Sequence, residues 1–250
     1  MSRGVLVTGA SGGIGRAIAA AFADAGDRVA VHYSTRRAEA ELTLAQLSGE
    51  GHVLVSGDLA DPQQVADLAA AANTALRGVD VLVNNAAVVT AGYPVPDTDY
   101  DTWQQAWRDT LEVNLLGAAN LSYCVARQLI DRGVEGAIVN VGSRGAYRGE
   151  PEAPAYGASK AGLHALGQSL AVSLAPHGIS VTSVAPGFVE TDRVADRLAG
   201  DSGAAIRGQS PYGRVATPEE VAAAVVYLAS PAARWSTGAV LDINGASHLR

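Results

Sequence analysis

Tyr156 and Lys160 stand four residues apart in a stretch of helical period, so their side chains share one face. An ammonium beside a phenol favours the phenolate and lowers its pKa, a tenfold gain in acidity corresponding to ~1.4 kcal/mol. A tyrosine so placed can give or take a proton near neutral pH. The spacing alone is common by chance. Ser143 strengthens it: it follows a strand run in Val141-Gly142-Ser143, thirteen residues before Tyr156. A hydroxyl there can meet the start of the next helix and hydrogen-bond a substrate oxygen. Asn114 is a polar amide among apolar neighbours in Glu112-Val113-Asn114-Leu115-Leu116, and it needs a partner. It is either a satisfied core asparagine or a residue holding water that links the site to solvent through Lys160.

A second constellation lies near the N-terminus. The run Thr8-Gly9-Ala10-Ser11-Gly12-Gly13-Ile14-Gly15 follows an apolar strand and leads straight into a helix. Glycines there let the backbone turn sharply and approach a pyrophosphate, whose charge suits the free N–H groups of a helix terminus. The pattern is T-G-x-x-x-G-x-G, not G-x-G-x-x-G, because Ile18 holds the last glycine position. Beyond the second strand, Tyr33-Ser34-Thr35-Arg36-Arg37 lacks the acid that NAD-binding proteins pair with ribose hydroxyls; the first acid is Glu39. Without that carboxylate a 2′-phosphate is not repelled, and Arg36 and Arg37 can pair with it. This favours NADP over NAD. Asp58, in Ser56-Gly57-Asp58-Leu59, reads as a turn cap or a cofactor contact. Asn84-Asn85-Ala86-Ala87 follows the fourth strand, where two adjacent amides can tie strand ends together and line a cleft.

Strand runs are expected at 5–8, 28–33, 52–56, 80–83, 137–141, 180–185 and 240–243, as continuous apolar segments covered on both faces. Helical periods lie between them at 14–25, 36–47, 62–75, 100–131, 155–175 and 218–229. Thr217-Pro218-Glu219-Glu220 is a helix start: a capping hydroxyl, proline in the first turn, then acids against the dipole. Regular alternation implies a parallel sheet with right-handed crossovers and helices on both faces. Two irregular stretches, 88–99 and 187–215, leave from strand carboxyl ends, where ligands of open α/β sheets bind. The second is the better candidate for a lid. With no repeat, low-complexity tract or charged linker, residues 1–250 read as one domain.

Composition sets the remaining bounds. The chain has 250 residues, 48% hydrophobic and 17% charged, which suits a large core and excludes a disordered chain. The net charge of −7 is dispersed, and no basic face suits nucleic acid. Cys124 is the one cysteine, in an apolar helical context that favours a buried, inert thiol. No apolar run reaches the ~20 residues that span a membrane. The first strand run starts too early for a signal peptide, so a cytoplasmic location is expected. No metal is called for.

Taken together, the Thr8-to-Gly15 turn, Asp58, the Asn84-to-Ala87 run, Asn114, Ser143, Tyr156-x-x-x-Lys160, Pro186-Gly187 and Thr191 resemble the short-chain dehydrogenase/reductase family, over about residues 4–245. The resemblance implies a Rossmann-type doubly wound sheet of seven strands and hydride transfer between a nicotinamide cofactor and a carbonyl or secondary alcohol. It implies Tyr156 as general acid in reduction and base in the reverse direction, with Ser143 orienting the carbonyl oxygen. Lys160 would lower the Tyr156 pKa and bind the nicotinamide ribose, and Asn114 would hold a relay water. Of the glycine turn, Gly9, Ser11, Gly12, Gly13, Ile14 and Gly15 would bind the cofactor, with Tyr33, Ser34, Arg36 and Arg37 beyond the second strand. Asp58 and Leu59 would meet the adenine, and Asn85, Ala86 and Ala87 its ribose region. Pro186, Gly187, Val189 and Thr191 would flank the nicotinamide. A homotetramer or homodimer is implied.

Within the family the chain is most similar to 3-oxoacyl-carrier-protein reductases, through Pro211-Tyr212-Gly213-Arg214 and Pro218-Glu219-Glu220-Val221. It departs from them at Gly12, where many NADP-preferring relatives have Arg or Lys. Ala87 and Ala246 replace glycines, and Val172 replaces an arginine that meets the acidic carrier. The substrate is thus a 3-oxoacyl thioester or, alternatively, a sugar, steroid or small alcohol. A silent NADP-binding sensor would lack one of the four chemical residues, and a lyase or epimerase suits the full set less well. Arg144 and Arg148, with Tyr147 and Glu150, flank the expected substrate pocket and are either surface arginines or readers of an anionic substrate. Phe188 and Tyr212 are candidate lid contacts.

Overall fold

The computed structural model describes residues 2–90 and 92–250; Met1, at the start of the expected domain, and Ala91, within the irregular stretch 88–99, lie outside the described residues. The apolar runs form β1 (Gly4–Val7), β2 (Arg28–Tyr33), β3 (Val53–Ser56), β4 (Val81–Asn84), β5 (Gly136–Val141), β6 (Ile179–Pro186) and β7 (Val240–Ile243). Between them run α1 (Gly13–Asp24), α2 (Arg37–Gln46), α3 (Pro62–Ala75), α4 (Tyr100–Leu111) and α5 (Ala118–Arg132). The second half adds α6 (Gly145–Arg148), α7 (Pro154–Leu174), α8 (Gly200–Arg207) and α9 (Pro218–Leu228).

All strands are parallel in one seven-stranded sheet of order β3-β2-β1-β4-β5-β6-β7. Side chains alternate across it. Val5, Val7, Val81, Val83 and Val139 pack on one face with Ile18 and Phe22 of α1 and Val225 of α9. Leu6, Leu82 and Ile138 pack on the other with Leu68, Leu121 and Leu129 of α3 and α5. This is the Rossmann-type doubly wound α/β fold. Val5 of β1 is in register with Val29 of β2 on one side and Val81 of β4 on the other. The chain order reverses there, and the crevice beyond the carboxyl ends of β1 and β4 is where such sheets bind ligands.

Two expectations need correction. The helix expected over 100–131 is broken by a π-helical turn, Glu112–Gly117, between α4 and α5. Periodicity cannot reveal it, because the apolar face continues through the turn while one extra residue bulges out. At Gly117 an added Cβ would lie 2.4 Å from the Leu59 carbonyl oxygen, so glycine lets the turn close on the end of β3. The weakly periodic stretch 187–215 holds α8 and short 3₁₀ turns at Asp192–Val194 and Asp196–Leu198. Its ends are tied: Val189 bridges Ala216, and the Ala216 N–H donates to the Phe188 carbonyl at 3.0 Å.

Candidate active site

The glycine turn is built by close approach. Gly9 (φ +63°) leaves β1 with no room beside Ala86, whose Cα would lie 2.9 Å from an added Cβ. A Cβ on Gly15 would lie 2.3 Å from the Gly9 carbonyl oxygen and 2.5 Å from Asn85 Nδ2. Gly13 (φ +53°) lies against Thr191, 3.2 Å from its methyl by the same measure. Gly12 is extended, and a Cβ there would meet only the Arg36 guanidinium, at 3.8 Å. The first turn of α1 carries no side-chain cap and no acid, so its N–H groups face the crevice unclaimed by a side chain. An uncapped helix terminus fronted by open glycines fits a pyrophosphate.

The amide motif works behind this turn. Asn85 Nδ2 donates to the carbonyls of Thr8 (2.8 Å) and Gly9 (3.2 Å), so its N–H groups brace the turn. Thr8 Oγ1 accepts from the N–H groups of Asn85 (2.9 Å) and Ala86 (3.0 Å) and donates to the Val83 carbonyl. Asn84, in contrast, is buried and donates to Ser122 and Asn140. At the edge of the crevice Asp58 is exposed and caps the Ala60 N–H at 2.9 Å, while Leu59 is buried under Gly117. Arg36 and Arg37 are exposed and paired through Nε to Glu39 (3.0 Å) and Glu41 (2.8 Å). The Arg36 terminal nitrogens therefore overhang Gly12.

His32 is a positioning residue the sequence reading missed. Its Nδ1 accepts from the Gly9 N–H at 3.0 Å, so Nε2 carries the proton toward the Gly57 carbonyl, also at 3.0 Å. Burial pushes its pKa below the ordinary histidine value, which keeps the ring neutral in this bridging role. The available signal was a histidine in an otherwise apolar strand.

Across the crevice, α7 brings the chemical residues together. Lys160 is buried, with Nζ donating to the Val141 carbonyl at 2.9 Å and lying 5.7 Å from the Tyr156 ring centroid. Tyr156 is half-buried and packs on a small core of Tyr93, Ala106, Ala153 and Ala155, which Trp103 and Trp107 also cover. Its neighbour Gly157 lies against the Gly145 carbonyl, 3.3 Å from an added Cβ. Gly145 in turn donates its N–H to Ser143 Oγ at 3.0 Å. Lys160 and Ser143 thus share the carboxyl edge of β5, with the Tyr156 ring beside the ammonium. Asn114 presents a full amide to the segment after β4: Oδ1 accepts from the Val88 N–H (2.8 Å), and Nδ2 donates to the Val88 carbonyl (3.0 Å) and Ser159 Oγ (3.2 Å). Pro186 ends β6, and Gly187 packs on Asn244 of the segment after β7.

Known proteins similar to this chain point to its family. A family model described as enoyl-(acyl carrier protein) reductase matches residues 9–248. L-rhamnose 1-dehydrogenase (NAD(P)(+)) of Sphingomonas sp. (strain SKA58) is 37% identical over 98% of this chain and 96% of that protein. The 3-oxoacyl-[acyl-carrier-protein] reductase FabG of Vibrio cholerae is 34% identical, covering 98% and 96%. The chain is a short-chain dehydrogenase/reductase. A cis-4-hydroxycyclohexanecarboxylate dehydrogenase of Sinomonas cyclohexanicum is also similar, 37% identical over 97% of this chain and 95% of that protein. Among solved structures, a 3-ketoacyl-(acyl-carrier-protein) reductase from Brucella melitensis complexed with NADH superposes with TM-score 0.87, at 28% identity over 99% and 98% of the two chains. This short-chain dehydrogenase/reductase is accordingly an NAD(P)-dependent oxidoreductase. No helix among its described residues is long and apolar enough to cross a membrane.

One buried group behind the reductase's site titrates in an accessible range. His164 lies one helical turn beyond Lys160, stacked on Tyr147 with ring centroids 5.3 Å apart. Neither ring nitrogen finds a partner of good hydrogen-bond geometry; the nearby Val184 backbone only partly offsets this. Burial first, then the charges of Lys160 and Arg250, push its pKa down to about 4. The unfolded chain takes up that proton below about 6.5, whereas the native protein does so only near 4. Stability is therefore full above the upper value and falls as pH drops toward the lower one. Denaturant unfolding of wild type and His164→Leu at pH 7 and pH 5 is expected to show the variant losing about 2 kcal/mol less between the two. Equal losses would show that His164 does not contribute.

Proposed function

We propose that this chain is an NADP-preferring carbonyl reductase or secondary-alcohol dehydrogenase working as one domain, residues 1–250, with 187–215 closing over the substrate. Most directly, the reading is supported by Lys160 lying 5.7 Å from the Tyr156 ring at the strand edge that also carries Ser143. When bound, the nicotinamide supplies or accepts the hydride. Tyr156 gives a proton to the carbonyl oxygen in reduction and takes it back in oxidation, while Ser143 Oγ orients that oxygen. Lys160 favours the phenolate and holds the nicotinamide ribose. Asn114 fixes the segment at Val88 and would hold the relay water.

The cofactor would rest on the turn formed by Gly9, Ser11, Gly12, Gly13, Ile14 and Gly15. Asp58, Leu59, Asn85, Ala86 and Ala87 would bound the adenosine half; Pro186, Gly187, Val189 and Thr191 the nicotinamide half. Arg36 and Arg37, with Tyr33 and Ser34, would receive the 2′-phosphate, a reading supported by the Arg36 guanidinium above Gly12. The double variant Arg36→Ala/Arg37→Ala is expected to weaken NADPH binding by about 10- to 100-fold and NADH binding by less than about 3-fold. Titration of nucleotide fluorescence measures both; an equal loss for the two would reject the assignment.

The substrate is a 3-oxoacyl thioester or a sugar, steroid or small alcohol, the relatives being named for L-rhamnose, 3-oxoacyl-carrier and hydroxycyclohexanecarboxylate activities. Val172 favours a substrate free of the carrier, because α7 presents it 80% exposed where a carrier-binding arginine would stand. Assembly as a homotetramer or homodimer in the cytoplasm completes the proposal. A panel of carbonyl compounds including 3-oxoacyl thioesters, assayed with NADPH and NADH in parallel, tests it; absence of turnover with every carbonyl and alcohol would reject it.

A further inference from the structure

Arg144 immediately follows Ser143, yet it is a buried arginine, 5% exposed. Among the described residues no carboxylate lies within ion-pair distance of it. Its guanidinium donates only to neutral acceptors, Ser247 Oγ and Gln209 Oε1 (2.6 Å), which engage two of its five N–H groups. It lies 5.1 Å over the Phe188 ring, and Arg197 lies at the same distance from that ring. Arg148 reaches the same Gln209 oxygen at 3.1 Å. Three guanidinium groups thus gather around Phe188 and Gln209. Burial, then Arg148, press the Arg144 pKa down, and only Glu150 opposes them. A buried charge without a counter-ion is costly, so a folded protein that keeps one has a use for it.

Arg144 lines a cavity of about 340 Å³ beyond the carboxyl ends of β6 and β7, together with Phe188, Ile206, Ser210 and Tyr212. The acids in the same wall are already matched. Glu220 forms a two-point pair with Arg214 (2.8 and 2.6 Å), and Asp242 is held by Arg250 (2.9 Å). Asp242 Oδ1 is buried without a partner, so an anion is disfavoured at that end and favoured at the Arg144 and Gln209 end.

We propose that Arg144, next in the chain to Ser143, is an oxyanion subsite selecting carbonyl substrates that carry a carboxylate or phosphate. This rests on the carbonyl-reductase reading above. Gln209 brings the stretch 187–215 to the same guanidinium, so an anion seated there also draws that stretch toward the substrate.

The test pairs a series of oxo acids and oxo phosphates with their neutral methyl esters, using wild type, Arg144→Met and Arg144→Lys. The acids are expected to be turned over with KM at least about tenfold below the esters. Arg144→Met is expected to raise KM for the acids by about 10- to 100-fold, with kcat and the ester KM changed less than about 3-fold. Arg144→Lys keeps the charge without the fork and falls between the two. Acetate and inorganic phosphate titrated calorimetrically into the NADP-loaded protein are expected to bind to wild type and not to Arg144→Met; the tighter of the two identifies the anion. Equal effects on acids and esters, with anion binding unchanged, would overturn the proposal and leave Arg144 a structural staple. If no carbonyl is turned over, the parent reading falls, and calorimetry of wild type against Arg144→Met still decides the subsite.

Discussion

Tyr156→Phe is expected to lower kcat by about 100- to 10,000-fold, the range that positioned proton transfer contributes. NADPH affinity should stay within a few-fold of wild type, because in the proposed reading Lys160 and the glycine turn would hold the cofactor. The reasoning is differential. The phenol oxygen matters when charge develops on the carbonyl oxygen, so its loss is felt in the transition state rather than in binding. The ring itself is retained, and its packing on the core of Tyr93, Ala106, Ala153 and Ala155 should hold the variant near wild-type stability. Steady-state turnover with a nucleotide titration measures both halves. Turnover within tenfold of wild type would require a different acid.

The second large effect is expected at Gly15. Ala there would place a Cβ 2.3 Å from the Gly9 carbonyl oxygen and 2.5 Å from Asn85 Nδ2, and the first of these is backbone that cannot swing aside. Overpacking of this kind costs about 1–3 kcal/mol, which for a chain of this length lowers Tm by roughly 2–12 °C. The strain falls on the bond from Asn85 to the Thr8 and Gly9 carbonyls that holds the turn. NADPH affinity should therefore fall more than tenfold, through loss of shape rather than loss of a contact. Gly12→Ala is the control for stability: Gly12 is extended and meets no protein atom but Arg36, so Tm should hardly move, whatever a Cβ there does to the cofactor. Melting curves and nucleotide titrations of both variants decide it; equal tolerance of Ala at both positions would refute the packing account.

Features resting on local chemistry were legible in the sequence. The strands were, because they are continuous apolar runs, buried on both faces in the middle of the sheet and partly exposed at its edges, β3 and β7. The start of α9 also was: Thr217 and Glu220 form the capping box their spacing implies, and Arg214 clamps the same glutamate. Tyr156 and Lys160 were legible because helical spacing alone puts them on one face. What escaped depended on contacts between distant segments. The π turn at Asn114 exists because a side-chain amide grips the Val88 backbone and Gly117 closes on Leu59. The α8 helix has two glycines in eight residues, and the strong apolar stripe that would announce it is missing. For Asn85 the sequence offered both tying strand ends and lining a cleft, and its N–H groups tie the turn after β1. Arg144 was legible as a pocket neighbour, but its missing counter-ion is a property of the folded chain.

The central claim is that Tyr156, Lys160 and Ser143 meet beside the nicotinamide, and a crystal structure of the NADPH-loaded protein tests it most directly. The account predicts the Tyr156 hydroxyl and Ser143 Oγ converging, within about 3 Å of one shared oxygen position, on the face of the ring that carries the hydride, with Lys160 on the ribose. A nicotinamide bound elsewhere, or a Tyr156 hydroxyl turned into the aromatic cluster and away from Ser143, would contradict it.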